Sequence, residues 1–367
     1  MNSYYLDYLK QDGTKLGQIN TFTRLEYGTR ENEIGIMTLT LPAEMFPGIP
    51  EADNILEIYR QVGASAPYLE LDTAWFIREW KYNKVGQSDV LTIDAQQAIC
   101  IVNRSIIAYA ADTAYTNKTN QADDMMKDII DENMGAGAVD AARDITAVMT
   151  IQVDFTLAPS ITKAFSWRRM LQTLQEIAKT SFEEGTYLVF DVVRTGPGTF
   201  EFQTFIDQRG TDRGVGSASP LVVSTQNGLL SDPELVYDYS EERNYIYVGG
   251  RGEGIDRNIV EVSDAARIGL SLLGRRELFI DYRNSDLDAT LDTEGNETLK
   301  EYRPKIILTG TISDSENLQY GIDYKYGDII VGQYNDIILN SHVDAISVVV
   351  DSGDETIRAN VRGVADA

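Results

Sequence analysis

Few residues of this chain have the types and spacing that nucleophilic catalysis requires. The only histidine, His342, follows Ser341 in a stretch whose alternating apolar residues predict a β-strand. A serine nucleophile needs a histidine and a third, orienting residue within hydrogen-bond reach, and the sequence has no G-x-S-x-G elbow. We therefore interpret His342 as a structural residue and predict that the chain has no catalytic residues.

The acidic stretch from 286 to 297 partly matches the spacing of a calcium-binding loop. Asp286, Asp288, Thr290 and Glu297 stand at positions 1, 3, 5 and 12 of such a loop, and Asp292 lies between them. The sixth position, where the sharp turn of that loop requires glycine, is Leu291. We interpret the stretch as a solvated acidic loop and predict no metal site, although the sequence leaves open whether Asp286, Asp288 and Glu297 bind a metal.

A run of glycines from Gly249 to Gly254 follows a predicted strand, as phosphate-binding loops do. A dinucleotide-binding loop must lead directly into a helix, because the phosphate binds at the N-terminus of that helix. Here Ile255 to Val262 have the alternation of a strand instead. The run therefore predicts a glycine-rich hairpin turn and no bound cofactor.

The charge balance argues against a surface that binds nucleic acid. The chain has 32 basic and 57 acidic residues, a net charge of −25, whereas nucleic-acid binding requires clustered lysine and arginine. Nucleic acid could still pass such a surface without binding, because like charges repel. With so many acidic residues, a carboxylate pair for glycoside hydrolysis cannot be singled out.

Localisation signals are equally sparse. The start of the chain, MNSYYLDYLKQDG, predicts no signal peptide, and no stretch approaches 18 apolar residues, so we expect synthesis in a cytoplasm and no membrane span. The single cysteine, Cys100, lies in an apolar run, which predicts a buried and unreactive thiol.

The elements that would position any site fall into three regions. Residues 1–105 predict a first β domain, residues 106–220 an inserted α+β domain, and residues 221–367 a second β domain. The series of short strands is typical of barrels or sandwiches. The predicted fold is therefore mainly β, with two β-barrel-like domains flanking the insert.

Three local predictions can be compared with the structure. Strand 74–83 places on one face Trp75, Ile77 and Glu79, and on the other Phe76, Arg78 and Trp80. Apolar residues three and four apart predict a helix over 121–134 with Asn120 as its N-cap. The same pattern predicts a second helix from Trp167 to Ala178, capped by Ser166.

Three groups of residues carry a resemblance to a known family. The group between 225 and 283 comprises Asn244, Tyr247, Gly249, Gly250, Arg257, Arg275, Arg276, Glu277 and Asp281. The N-terminal group comprises Arg24, Glu26, Tyr27, Gly35, Thr38, Leu39, Leu41 and Pro42. The third is the string from Tyr320 to Ile330, in which Tyr326 stands where the family has leucine. With these motifs the chain resembles the tail-tip hub proteins of long-tailed (siphovirus-type) phages, the counterparts of the contractile-tail baseplate hub.

The resemblance implies a structural virion protein at the tail tip rather than an enzyme. It implies a homotrimer whose two β domains per chain alternate around a ring, join the hexameric tail ring to the threefold tip, and form or close the DNA conduit. Its partners would be the distal tail ring protein, the tail tube and tail fibre or tip proteins. Genomic DNA would pass without specific binding, and no cofactor is implied.

Two alternatives remain open from the sequence. One is a tail-associated cell-wall hydrolase or a carbohydrate-binding protein that recognises the host receptor. Since the last predicted strand ends close to Ala367, we expect no appended lytic segment. The other alternative is a soluble scaffold unrelated to phage.

Overall fold

The computed structural model describes residues 2–108, 113, 115–283, 287–313 and 318–366. One sheet of 15 strands dominates it, accompanied by two sheets of three strands and one of two. None of the helices in these residues is long and apolar enough to cross a membrane. The mainly β fold with an α+β insert is confirmed.

The strands and helices are numbered here in chain order. The strands of the first region are β1 Ser3–Leu9, β2 Lys15–Ile19, β3 Arg24–Arg30, β4 Ile36–Pro42, β5 Ile55–Gln61, β6 Tyr68–Leu69, β7 Trp75–Val85 and β8 Ser88–Gln97. The insert contains β9 Thr116–Gln121, α1 Ala122–Met134, β10 Met149–Ile151, β11 Ser160–Phe165, α2 Met170–Glu183, β12 Leu188–Gly196 and β13 Thr199–Ile206. The remaining elements are β14 Asp212–Arg213, β15 Val222–Ser224, β16 Leu230–Asp238, β17 Tyr245–Gly249, β18 Ile259–Ser263, α3 Ala265–Ile268, β19 Glu277–Asp281, α4 Asp288–Glu301, β20 Lys305–Ile312, β21 Ile329–Tyr334, β22 Ile337–Asp351 and β23 Asp354–Asp366.

Strand β22 joins the two halves of the large sheet. Its residues 337–342 pair with β21, and residues 345–351 pair with β23 on one side and with β3 on the other. The order across the sheet is β16-β20-β23-β22-β3-β4-β8-β7-β5-β1-β2, so its main path ends at β16 and at β2. The first and last regions consequently share one hydrophobic core, which contains Tyr27, Trp75 and Val348.

The predicted faces of the long strand β7 are wrong beyond Ile77. The register against β8 shifts after Ile77, which makes Arg78 an extra, bulged residue. A shift of one residue exchanges the two faces of a strand. Trp80 therefore packs on the same core as Trp75, not beside Phe76, which lies in the neighbouring core.

The insert packs against the first β region. Its core combines α1, α2, β12 and β13 with side chains from the first region, among them Ile55, Phe76 and Ile99. Cys100 is buried in this core, as predicted, and burial raises the pKa of its thiol.

Both predicted helix caps of the insert are wrong. Helix α1 starts after Gln121, and the side chain of Asn120 accepts a hydrogen bond from the Gln121 amide without capping the helix. Helix α2 starts only at Met170, because Trp167 has a φ of 52° and lies 57% exposed before the helix. Ser166 therefore caps nothing, while the apolar stripe from Met170 onward is confirmed.

Candidate functional site

The histidine and the neighbouring serine do not form a catalytic pair. The Ser341 hydroxyl donates to the Leu339 carbonyl at 3.4 Å, whereas the His342 ring stacks on Tyr187 with ring centroids 3.9 Å apart. Burial lowers the pKa of His342 to about 4. Because consecutive strand residues point to opposite faces, β22 itself separates the two side chains.

The acidic stretch is mostly a helix, so its interpretation as a loop is wrong. Asp288 begins α4 and Glu297 lies nine residues later, roughly 13 Å along the axis, too far apart to bind one ion. Asp286 lies outside the described residues. Within the described part of the chain, no three His, Cys, Asp or Glu side chains converge on a possible metal site.

The glycine run forms a hairpin turn, as predicted. Strand β17 before it pairs antiparallel with β18 after it, and β19 pairs parallel with β17 on the other side. This three-stranded sheet lies between β16 and β20 in the chain. The residues between 244 and 281 that carry the family resemblance lie in its strands and in the segments directly flanking them, which makes this sheet the candidate functional site.

One face of this small sheet is covered by helix α4. The buried residues Ile246, Val248 and Leu291 form its core. Gly295 allows the close approach of the helix, since a Cβ there would lie 2.5 Å from the Val262 side chain. This packing explains why an acidic stretch becomes a helix: Leu291 lies on the face of α4 that contacts the sheet.

The opposite, outer face of the sheet carries a stacked arginine at its glycine end. The Arg257 guanidinium lies 5.2 Å from the centroid of the Phe279 ring, donates to the Gly249 carbonyl at 2.9 Å, and pairs with Asp281. A Cβ on Gly249 would lie 2.6 Å both from an Arg257 nitrogen and from the Phe279 ring. Glycine at position 249 is therefore what allows Arg257 to cross the sheet.

A second stacked arginine lies at the other end of the same face. The Arg275 guanidinium lies 3.6 Å from the centroid of the Tyr245 ring and donates to the Tyr247 hydroxyl at 2.6 Å. Arg275 also pairs with Glu277 at 2.5 Å, and Tyr245 donates to Glu261. We call the outer-face residues Tyr245, Tyr247, Arg257, Arg275 and Phe279 the arginine–aromatic face.

A buried carboxylate fixes the loop that leads from β18 to β19. Glu242 is 5% exposed and pairs with Arg267 and Arg276, each at 3.1 Å, on the two sides of this loop. The Asn244 amide adds a hydrogen bond to the Gly274 carbonyl at 2.7 Å. The loop is thus held at both ends.

This loop presents three leucines to solvent, and sequence reasoning missed them. Leu270, Leu272 and Leu273 are 78%, 106% and 86% exposed. We call residues 269–274 the leucine loop. Its signal in the sequence was an apolar run between two glycines, which periodicity alone does not distinguish from a strand.

Replacing Gly249 by alanine should displace Arg257 and loosen this sheet. Insertion of a methyl group at 2.6 Å from two side-chain atoms should cost about 1–3 kcal/mol in the free energy of unfolding. Hydrogen exchange of the β17 amides should accelerate accordingly. Gly269→Ala is the matched control, because its Cβ would meet no atom closer than 3.4 Å. Equal exchange in the two variants would show that Arg257 does not depend on the glycine.

Two largely buried arginines connect the regions. Arg60 of β5 pairs with Glu355 of β23 at 2.9 Å. Arg209 pairs with Asp191 within the insert at 3.1 Å and also donates to the Leu71 carbonyl of the first region at 3.1 Å. The guanidinium of Arg209 also lies 5.5 Å from the centroid of the Tyr326 ring, the aromatic residue that stands where the resembled family has leucine. The tyrosine at position 326, in place of the leucine of the resembled family, thus provides a ring on which the Arg209 guanidinium stacks.

Solved structures of two tail proteins and of a PdpA–VgrG complex share this fold. The 43 kDa tail protein of prophage MuSo2 from Shewanella oneidensis matches with a TM-score of 0.57 at 9% identity over 98% of each chain. The tail protein from Neisseria meningitidis MC58 matches with a TM-score of 0.55 at 11% identity, over 99% of this chain and 97% of that one. The lidded Francisella PdpA–VgrG complex matches with a TM-score of 0.50 at 9% identity, over 100% of this chain and 53% of that one. At such identities the likeness shows the fold alone, and the fold is that of a phage tail protein.

The family is shown by the sequence itself. The family model described as Siphovirus ReqiPepy6 Gp37-like protein matches residues 8–361, and the chain belongs to this family. No curated protein sequence matches the chain. The resemblance to siphovirus tail proteins is confirmed, and the alternative of a scaffold unrelated to phage is wrong.

Proposed function

We propose that this phage tail protein is the homotrimeric hub of the tail tip, which joins the hexameric tail ring to the threefold tip and forms or closes the DNA conduit. The observation that carries the proposal is the pair of β regions, residues 1–105 and 221–367, joined through β22. Three copies of a chain with two such regions present six β units around one axis, and a threefold ring of this kind can match a sixfold partner. The full-length likeness to solved tail proteins supports this architecture.

The charge of the chain suits a conduit. A net charge of −25 repels DNA, so that DNA in transit is not retained on the wall. In this proposal the insert, residues 106–220, decorates the outside of the ring. The partners are the distal tail ring protein, the tail tube and the fibre or tip proteins, and the chain is made in the host cytoplasm before it joins the tail tip.

The role we assign is structural rather than enzymatic. The polar groups considered in the sequence do not converge on one site: His342 stacks on Tyr187, and Glu297 lies on the exposed side of α4, nine residues after Asp288. We expect purified protein to leave the turbidity of host cell walls unchanged. Reproducible turbidity loss that an acidic-residue substitution abolishes would instead establish the hydrolase alternative.

The oligomeric state tests the hub directly. Native mass spectrometry should give three copies, and negative-stain images should show a ring with a central channel. A monodisperse monomer, unchanged by concentration and by addition of the tail ring partner, would contradict the conduit.

A further inference from the structure

Residues 239–283 and 287–304 form a unit with a core of its own, which we call the arm. The arm contains the small sheet, α4, the arginine–aromatic face and the leucine loop. Its buried residues Ile246, Val248 and Leu291 pack with each other and with partly buried residues between 260 and 299. Within the described residues, the two larger cores contain no residue of the arm. The arm is therefore not fixed by the apolar packing that joins the insert to the first region.

Both connections of the arm to the rest of the chain lie side by side. Strand β16 ends at Asp238 and β20 begins at Lys305, and these two residues are paired in the large sheet. The Arg243 amide donates to the Tyr302 carbonyl at 3.2 Å, which keeps the two connecting segments together. Residues 239–241 are exposed. A few exposed residues at the ends of two paired strands can absorb a change in backbone angles, as a hinge must.

Beside this hinge, two ion pairs attach the arm to the insert. Lys179 of α2 pairs with Glu301 of α4 at 2.9 Å, and Lys300 of α4 pairs with Glu184, directly after α2. All four side chains are partly exposed, and exposed ion pairs contribute little to stability. Lys179 also pairs with Glu183 of its own helix at 3.3 Å, so it keeps a partner if the arm moves away. We call the pairs Lys179–Glu301 and Lys300–Glu184 the latch.

Negative charge is in excess where α4 meets the insert. Five carboxylates and three lysines lie near one another there: Glu183, Glu184, Glu294, Glu297, Glu301, Lys163, Lys179 and Lys300. Burial raises the pKa of Glu183, Lys179 lowers it, and Glu301 of α4 raises it again. Carboxylates of the arm and of the insert thus repel each other. The latch must outweigh this repulsion to keep the arm in place.

We propose that the arm rotates about the hinge formed by residues 239–241 and 302–304, between a closed position held by the latch and an open position in which both ion pairs are broken. The rotation moves the leucine loop and the arginine–aromatic face together, because both belong to the arm. Hinge and latch lie within one copy of the chain, so the motion does not depend on the proposed trimer.

The distance between the arm and the insert reports this motion in the full-length protein. Spin labels on Leu272→Cys and Val139→Cys, two exposed positions, allow its measurement by double electron–electron resonance. The buried Cys100 stays unlabelled. Lys179→Glu combined with Lys300→Glu should raise the ratio of open to closed molecules at least about 10-fold, because two attractions become repulsions.

The matched control makes the same charge change away from the latch. Lys84 pairs with Asp89 inside the first region, and Arg168 pairs with Glu176 inside the insert. Lys84→Glu combined with Arg168→Glu should therefore leave the distance as in wild type. Circular dichroism should show both double variants folded, since they change only side chains that are at least partly exposed.

Exchanging the charges of the latch should close the arm again. Glu184→Lys and Glu301→Lys, added to Lys179→Glu and Lys300→Glu, recreate both ion pairs in reverse and should restore the wild-type distance. An arm that stayed open in this fourfold variant would show that the ion pairs are not the latch.

The proposal is wrong if Lys179→Glu with Lys300→Glu keeps the wild-type distance, because other contacts would then fix the arm. These results are separate from the oligomeric state. A monomeric wild type whose arm opens when the latch is broken contradicts the hub and supports the hinge. A trimer whose arm does not move supports the hub and overturns the hinge.

Discussion

Replacing Arg60 by methionine is expected to lower the free energy of unfolding by about 2–4 kcal/mol, because it leaves the partly buried carboxylate of Glu355 and the buried carbonyl of Tyr320 without their partner. The Arg60 side chain is 2% exposed and donates two hydrogen bonds to Glu355, at 2.9 and 3.1 Å. It also donates to the Tyr68 hydroxyl of β6 and to the Tyr320 carbonyl in the segment before β21, so Arg60 connects β5 to three other segments. Urea unfolding followed by tryptophan fluorescence measures the loss.

The control for this prediction is an arginine that reaches the same hairpin from the surface. Arg24 pairs with Asp351 at 3.3 Å, but the two side chains are 44% and 54% exposed. Exposed pairs contribute at most about 1 kcal/mol, so Arg24→Met should change stability little. If Arg60→Met and Arg24→Met lowered the free energy of unfolding by similar amounts, burial would not be what makes the Arg60–Glu355 pair the stronger one.

The second large effect concerns the pH dependence of stability and its origin at Glu31. Burial raises the pKa of Glu31 to about 7, opposed by the hydrogen bond from Tyr187 and by Arg209 and Arg362, and reinforced by Asp344. The folded state therefore holds a proton at Glu31 that the unfolded state releases near pH 4.5. This contribution stabilises the protein fully below pH 4.5 and is lost as the pH rises toward 7, by about 3 kcal/mol.

Glu31→Gln should remove this pH dependence while an oxygen remains to accept from Tyr187. Relative to wild type, the variant should gain about 3 kcal/mol in the free energy of unfolding between pH 4.5 and pH 7. Glu33→Gln, an exposed residue on the same turn, makes the same chemical change without burial and is the control. If the free energies of unfolding of Glu31→Gln and wild type differed by the same amount at every pH in this range, Glu31 would not be the source of the pH dependence.

His342 changes the stability of the protein in the opposite direction to Glu31, over an overlapping range of pH. Its pKa is lowered to about 4, so the unfolded state takes up a proton near pH 6.5 that the folded state refuses. Stability from this group is present above pH 6.5 and is lost as the pH falls toward 4. In wild type the two effects oppose each other between about pH 4.5 and 6.5, and Glu31→Gln should reveal the histidine effect.

The features predicted well from the sequence are those that local pattern determines. The apolar stripe of helix α2 was predicted from residues three and four apart, and the structure has it from Met170 onward. The hairpin at Gly249 was predicted because glycine supplies a turn and no helix-forming pattern follows. The mainly β fold with its α+β insert follows from the same kind of signal.

The predictions that were wrong or missing concern features that contacts between distant parts of the chain determine. The bulge at Arg78 leaves no mark in the alternation and is visible only in the pairing with β8. The acidic stretch becomes helix α4 because Leu291 packs on a sheet. Arg60 pairs with Glu355, which lies 295 residues later in the sequence, and a charged residue gives no local sign that it will be buried.

The shared strand β22 also determines when this protein can fold. Its partner β3 is made about 300 residues earlier in the chain. At ordinary translation rates of about 5–20 residues per second, β3 waits roughly 15–60 s on the ribosome before its partner exists. The core around Tyr27 and Val348 can form only after nearly all of the chain has been synthesised. Chains whose translation stops before β22 therefore lack a finished core.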